Sequence, residues 1–151
     1  IDLNYYQQFI KNRQVRIVFG QTYRLLQQSR AALVTSGTAT LETALLRVPQ
    51  VVCYRLPFAT LGSFVFQHFF SCKYISLVNL IAGKSVVKEL YGKDFSVPQI
   101  RTELDRLLNN GSYREQIQQG YQEVIDRLGS PGASETAACV IVSYSGNSRK
   151  K

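Results

Sequence analysis

The chain has 151 residues, of which 45% are hydrophobic and 19% charged. This composition suffices for one domain with an apolar core and excludes a wholly disordered chain. The start carries no basic segment followed by an apolar run, which argues against a secretory signal. Because the chain contains no Met, we expect it to be a piece of a longer protein.

The net charge of +8 is concentrated in the first part of the chain. Residues 1–88 contain ten Lys or Arg and two acids, whereas residues 89–151 contain eight of each. A positive field favours phosphorylated ligands, nucleic acid or an anionic membrane, and a merely solubilising surface is the alternative.

The first half predicts helices that alternate with short apolar strands. Strands that lack polar alternation are buried on both faces, which is typical of a parallel sheet in an α/β domain. The predicted strands are 15–19, 31–35, 51–54 and 74–77, and the predicted helices are 4–11 (with Tyr5 and Phe9 facing inward), 22–30 and 41–47.

The second half predicts three helices, at 99–109, 114–128 and 133–144, with a loop at 109–112 and a break at 130–132. Apolar residues recur at helical spacing in each of them. We therefore expect one Rossmann-like domain over residues 1–145 and a basic tail over 146–151.

Residues 56–72 carry no charged side chain but contain five phenylalanines. The segment is too short and too polar to span a bilayer, since it includes Pro57, Gln67 and His68. Two interpretations stay open: a buried helix, or a face that touches lipid chains or a membrane surface.

The three cysteines, Cys53, Cys72 and Cys139, are widely spaced and predict reduced, mostly buried thiols. Their spacing does not predict a metal site. His68, the only histidine, lies among phenylalanines and predicts packing or an interface rather than chemistry.

The turn Ser36-Gly37-Thr38 follows a buried strand and opens a helix. The first N–H groups of a helix lack intrahelical partners and favour a phosphate. Gly37 would let a ligand approach the backbone, and the hydroxyls of Ser36, Thr38 and Thr40 could donate to phosphate oxygens. An ordinary capped helix explains the same residues without a ligand.

Glu42 is the only acid between Asp2 and Glu89. Near a helix start a carboxylate gains about 0.3–1 kcal/mol from the helix dipole, so a structural role suffices. A carboxylate can also accept hydrogen bonds from two neighbouring hydroxyls of a ribose. Phosphate donors and a ribose acceptor together describe a nucleotide site.

Two stretches together carry a resemblance: SGTATLETALLRVPQVVCYR, over 36–55, and YISLVNLIAGKSVVKELY, over 74–91. The chain resembles the lipid-A-disaccharide synthases from about Val15 to its last helix. Val78 departs from the family pattern, in which many members carry Pro. The first motif alone is shared by many nucleotide-sugar enzymes, and its pairing with the second is distinctive.

The resemblance implies the C-terminal, donor-binding domain of a two-domain GT-B glycosyltransferase. Such a hexosyltransferase would transfer 2,3-diacylglucosamine from UDP-2,3-diacylglucosamine to 2,3-diacylglucosamine 1-phosphate (lipid X), with inversion, release of UDP and no metal or cofactor. It also implies a cytoplasmic protein, peripheral on the inner membrane of a Gram-negative bacterium, with no nucleic-acid partner. A homodimer is one assembly that it allows.

The family motifs imply roles for nine residues. The diphosphate would meet Ser36, Gly37, Thr38 and Thr40, the ribose would meet Glu42 or Glu89, Arg55 would offset phosphate charge, and Asn79, Gly83 and Glu89 would line the donor pocket. From the residues alone, Asn79 could instead bond to backbone, and Glu89 could be a solvated helix acid paired with Lys84 or Lys93. The catalytic base is expected on an absent N-terminal domain, so the fragment alone should be inactive.

Two other functions fit part of the sequence. A UDP-sugar epimerase shares the GT-B fold, although it has no use for the Phe-rich segment. A basic α/β module that binds nucleic acid would explain the isoelectric point of about 9.6. Basic residues interleaved with aromatics, which such modules carry, are missing.

Overall fold

A computed structural model of the chain describes residues 3–11, 14–35, 37–55, 73–129 and 132–147. Its helices are α1 (Leu3–Gln7), α2 (Thr22–Gln27), α3 (Gly37–Leu45), α4 (Leu77–Ala82), α5 (Val97–Asn109), α6 (Gly111–Leu128) and α7 (Ala133–Asn147). Its strands are β1 (Ala32–Val34), β2 (Gln50–Tyr54) and β3 (Lys88–Tyr91), and a 3₁₀ turn follows at Gly92–Asp94.

The three strands form a parallel sheet in the order β1-β2-β3. Val34 lies opposite Val52, and Tyr54 lies opposite Tyr91. Parallel strands need crossover connections, and α3 and α4 supply them. The expected α/β fold with a Rossmann-like parallel sheet and flanking helices is confirmed.

The core forms where β2 meets the helices. Val51, Val52 and Cys53 are buried because helices cover both sides of a central parallel strand. The core is completed by Ala44, Val78, Ala82, Val87, Leu90, Leu107, Ile117, Tyr121 and Val124. The expected apolar faces of the helices at 99–109 and 114–128 are confirmed at Leu107, Ile117 and Tyr121, whereas Leu128, expected on the second face, is exposed.

Gly120 of α6 lies against Val86, in the loop before β3. A Cβ added at Gly120 would come within 2.9 Å of Val86 Cγ2 and closer still to Cγ1. Only glycine therefore lets α6 approach this loop so closely.

The structure corrects the prediction for residues 74–77. They do not form a strand: Leu77 begins helix α4, and Ser76 precedes it as the N-cap, with its Oγ accepting a hydrogen bond from the Asn79 amide. The capping interaction decides the outcome because the short apolar run fits a helix start as well as a strand.

The predicted strand at 15–19 is also wrong. These residues form no strand, and Val15, Val18 and Phe19 are about half exposed. A strand requires a hydrogen-bonding neighbour, and β1 pairs only with β2 within the described residues. An apolar run in the sequence does not show whether such a neighbouring strand is present.

Further corrections concern the first helix and a loop. Tyr5 and Phe9 do not face inward; they are 51% and 67% exposed and contact each other edge-on. The loop expected at 109–112 shrinks to Asn110, whose side chain caps α6 by accepting from the Tyr113 amide. Helix α7 runs to Asn147, and the division of the chain at 145 into a domain and a basic tail stays a prediction, since residues 148–151 lie outside the described residues.

Candidate functional site

The carboxyl ends of the three strands bring the turn after β1 and the residue after β2 to one edge of the sheet. Thr35 follows β1 and helix α3 begins at Gly37, while exposed Arg55 directly follows β2. Ligands of open α/β sheets bind at this edge. Ser36, predicted to meet a diphosphate, lies outside the described residues.

At the start of α3, the backbone amides rather than the glycine itself are the groups that could bind a ligand. Gly37 and Thr38 are exposed, and a Cβ added at Gly37 would meet no atom of the described residues within 4 Å. Packing among those residues therefore does not require glycine there. Helix α3 has nine residues, and its first amides lack intrahelical acceptors. Contact of Gly37 and Thr38 with a diphosphate stays a prediction.

Thr40 has a different environment from Thr38. It is fully buried, and its Oγ1 donates to the Gly37 carbonyl at 2.6 Å. Its own carbonyl accepts from Gln50 Nε2 at 2.9 Å. The hydroxyl is thus committed inside α3, and Thr40 would support the turn from behind rather than touch a ligand.

Glu42 lines a cavity of about 430 Å³ between α2, β1 and α3. Its other walls include Leu25 of α2, Leu33 of β1 and Ala39 of α3. The half-buried Glu42 carboxylate makes no hydrogen bond or ion pair with any residue that the structure describes. A ligand in this cavity would meet the carboxylate, and no described residue competes for its oxygens.

Glu89 accepts from four donors that lie between Ile75 and Asn79, at the start of α4. Its Oε1 accepts from the amide of Ser76 at 2.8 Å, the hydroxyl of Ser76 at 2.7 Å and Asn79 Nδ2 at 2.9 Å. The amide of Ile75 lies 3.2 Å from Oε1 and 3.1 Å from Oε2. Oε2 thus retains most of its accepting capacity. Glu89 stands on strand β3, so its interpretation as a helix acid is wrong, and Lys84 pairs with Glu123 instead.

Asn79 connects the same cluster to the loop before β3. Its Oδ1 accepts from the amides of Val86 at 2.8 Å and Val87 at 3.0 Å, and its Nδ2 also donates to the Val87 carbonyl at 2.9 Å. The side chain is 1% exposed. Bonding to backbone, one of the two interpretations of Asn79, is observed.

Gly83 ends α4 in the left-handed conformation, with φ of 67°. Glycine is favoured there because it carries no Cβ. The residue stands at the end of α4 opposite Ser76 and Glu89. Its conformation accounts for glycine, and its contact with a donor stays a prediction.

The described residues offer neither a metal site nor a paired thiol. No three His, Cys, Asp or Glu among them are arranged to hold a metal ion. Burial raises the pKa of the Cys53 thiol, which makes it a poor nucleophile, while Cys139 is exposed. His68, Cys72 and the Phe-rich segment 56–72 lie outside the described residues.

The model of one protein family, lipid-A-disaccharide synthetase, matches residues 3–143. Three similar proteins carry the name lipid-A-disaccharide synthase. The one from Syntrophus aciditrophicus is 40% identical over 124 residues, which cover 82% of this chain and 32% of the relative. Those from Geobacter sulfurreducens and Solibacter usitatus are 33% and 34% identical, covering 87% and 91% of this chain.

The chain belongs to the lipid-A-disaccharide synthase family. The resemblance carried by the two motifs is thereby confirmed, and the epimerase alternative is not supported. The chain spans about a third of the length of the synthases it matches.

Within this synthase-family chain, the two motifs occupy different places. The first motif supplies the sheet edge, the start of α3 and Glu42. The second supplies the hydrogen-bonded cluster of Ser76, Asn79 and Glu89. Ser76 was missed from sequence, although a Ser three residues before Asn79 is a recognisable N-cap pattern.

Proposed function

We propose that this chain is the donor-binding part of a glycosyltransferase of lipid A biosynthesis. The donor is UDP-2,3-diacylglucosamine and the acceptor is 2,3-diacylglucosamine 1-phosphate. The acceptor hydroxyl loses its proton to a base, its oxygen bonds to the anomeric carbon of the donor with inversion, and the bond from that carbon to UDP breaks. The products are the disaccharide 1-phosphate and UDP.

One observation carries the proposal: a family member presents a carboxylate, Glu42, that has no partner among the described residues, on the helix that begins at the carboxyl edge of its sheet. The helix start favours negative charge, and the carboxylate one turn later can accept from sugar hydroxyls. This spacing suits a nucleoside diphosphate with its phosphates at Gly37 and Thr38 and its ribose at Glu42.

The role of these residues is binding and charge neutralisation. The departing UDP gains negative charge in the transition state, and preorganised positive groups stabilise that charge. The amides at the start of α3 and the exposed guanidinium of Arg55 provide such groups. Glu89 is the other ribose candidate, because from the described part of the chain its Oε2 accepts a single hydrogen bond, of 3.1 Å. The base belongs to the part of the synthase that this chain does not contain, and we propose that the chain alone is inactive.

Titration calorimetry with UDP tests this proposal. We expect weak, saturable binding to the isolated chain, with UDP bound more tightly than inorganic diphosphate because only UDP offers a ribose. A chain that is folded by circular dichroism but binds neither compound would overturn the proposal.

We further propose that the chain works at a membrane surface, where its acylated substrates reside. Exposed aromatic rings support this: Tyr5, Phe9 and Phe19 are each more than half exposed, and residues 3–41 contain no acid. Aromatic and basic groups suit the interface of an anionic bilayer. Within the described residues no helix combines the length and apolarity needed to cross a bilayer.

Vesicle flotation tests the membrane proposal. We expect binding to vesicles that contain an anionic lipid, weaker binding to neutral ones, and a loss on Phe9→Ser with Phe19→Ser. Equal recovery of the double variant and the parent protein on anionic vesicles would contradict this role for the aromatic rings.

A further inference from the structure

A second cavity, of about 420 Å³, lies away from the candidate nucleotide site. It is bounded by the loop that precedes β3, by the first residue of β3, Lys88, and by the side of α6 that carries Gly120. Lys88 opens β3 and Tyr91 closes it, and three residue steps of strand span about 10 Å. The cavity therefore stands at the amino end of β3, opposite the edge where ligands of the first site would bind.

The lining of this cavity is rich in positive charge. Lys84, Lys88 and Arg106 line it, whereas Glu123 is the one acid among the described lining residues. Glu123 is already used, since both of its carboxylate oxygens lie 2.7 Å from Lys84 Nζ. Lys88 makes no ion pair with any part of the chain that the structure describes. Among the described residues Lys88 is thus uncompensated, whereas Arg106 has a long ion pair with Glu103.

Arg106 is held in position by a stack. Its guanidinium lies 3.7 Å from the centre of the Tyr113 ring, and the Tyr113 hydroxyl donates to the buried Glu103. The ion pair between Arg106 Nη1 and Glu103 Oε2 is long, at 4.0 Å. A stacked guanidinium keeps its N–H edge free for a bidentate contact, and the stack lowers the entropy lost on binding.

The remaining lining residues define the ligand class. Gln116, Gln119 and Ser85 add neutral hydrogen-bonding groups, and a cavity of this volume accepts a small molecule. Among the described lining residues only Val86, Val87 and Ile117 are aliphatic, which is too little to hold acyl chains. The stacked guanidinium of Arg106, together with the ammonium group of Lys88, matches the charge and geometry of a phosphate group.

We propose that this cavity binds a small, water-soluble phosphate monoester, with Arg106 and Lys88 on the phosphate and the two glutamines on the rest of the molecule. This site is separate from the donor site and does not depend on the proposed glycosyl transfer. Its ligand would bind to the folded chain whether or not UDP is present.

Amide chemical shifts of the full chain, measured during titration with glycerol 3-phosphate in saturating UDP, test the proposal. UDP keeps the probe from the phosphate subsite at the start of α3. We expect saturable shifts at 84–88 and 116–123. Lys88→Gln should weaken binding about tenfold or more, because a charge-assisted hydrogen bond contributes roughly that factor. Arg106→Lys, which keeps the charge but loses the fork, should weaken it as well.

Lys11→Gln is the matched control, since it removes the same charge from a residue outside the cavity lining. An equal loss in Lys11→Gln, or shifts that never saturate, would show only general attraction and overturn the proposal. Malonate binding as tightly as glycerol 3-phosphate would overturn the ligand class. Absence of UDP binding would count against the proposed function alone, since the same shifts can be followed without UDP.

Discussion

Asn79 of α4 donates a hydrogen bond from Nδ2 to Oε1 of Glu89 on β3, over 2.9 Å. The two side chains also hold backbone on both sides: Glu89 binds the amides of Ile75 and Ser76, and Asn79 binds those of Val86 and Val87. One connected cluster thus fixes the start of α4, the loop after it and the start of β3.

We expect Glu89→Gln to destabilise the fold by about 1–3 kcal/mol, because a neutral amide oxygen at the Oε1 position would accept from Ser76 and Asn79 more weakly than the carboxylate does, and an amide nitrogen at the Oε2 position would face the Ile75 amide. Urea unfolding measures the change. The matched control is Glu123→Gln, whose exposed pair with Lys84 should contribute about 1 kcal/mol or less. Equal effects of the two substitutions would contradict a structural role for Glu89.

Asn79→Ala should lower the free energy of unfolding by a similar or larger amount, since it leaves the amides of Val86 and Val87 without their acceptor. In a double-mutant cycle with Glu89→Gln, we expect a coupling energy of about 0.5–3 kcal/mol, as for residues in one network. Strict additivity would mean that the 2.9 Å contact does not couple them.

Gly120→Ala should destabilise the chain by about 1–3 kcal/mol, because the added methyl group overlaps Val86. Val86→Ala should relieve the overlap, so the double variant should recover part of the loss in a thermal melt. Gly111→Ala is the control, since a Cβ at Gly111 meets nothing within 4 Å. Failure of Val86→Ala to rescue would show that close packing is not the reason for glycine.

Glu42→Ala should weaken UDP binding more than binding of inorganic diphosphate, because only UDP carries the ribose that the carboxylate would contact. Calorimetry with both ligands measures the difference. A loss of about tenfold for UDP would fit one charge-assisted hydrogen bond. If both ligands weaken equally, Glu42 does not contact the ribose, and the same comparison on Glu89→Gln tests the other candidate.

The free energy of unfolding should fall at alkaline pH, because two tyrosines have raised pKa values in the folded chain. Burial, and then the hydrogen bond to Glu103, raise the pKa of Tyr113, and burial raises the pKa of Tyr121. The folded chain therefore holds these protons more tightly than the unfolded chain. Their contribution is complete below the ordinary tyrosine pKa of about 10 and is lost progressively as the pH rises above it.

Tyr113→Phe should make the decline of the free energy of unfolding above about pH 10 shallower. Only Tyr121 would then bind its proton more tightly in the folded chain than in the unfolded chain. Urea unfolding at a series of pH values gives the slopes. Tyr23→Phe, which alters an exposed ring, is the control. The explanation would be wrong if Tyr23→Phe changed the slope as much as Tyr113→Phe.

The sequence by itself determined the parallel α/β architecture, the family and the helix that starts after β1. Apolar runs such as 51–54 have no polar alternation, so they must be buried on both faces, and helical spacing located Ile117, Tyr121 and Val124. These signals are local, and a short window of residues carries each of them.

Only the tertiary structure decided which polar groups are available. Thr40 and Thr38 look alike in sequence, yet packing against β2 buries the first and leaves the second exposed. Glu89 and Asn79 find each other because β3 lies beside α4, and the cavity of Lys88 and Arg106 exists because α6 packs against the loop before β3. Such contacts depend on how distant segments meet, and no local pattern records that.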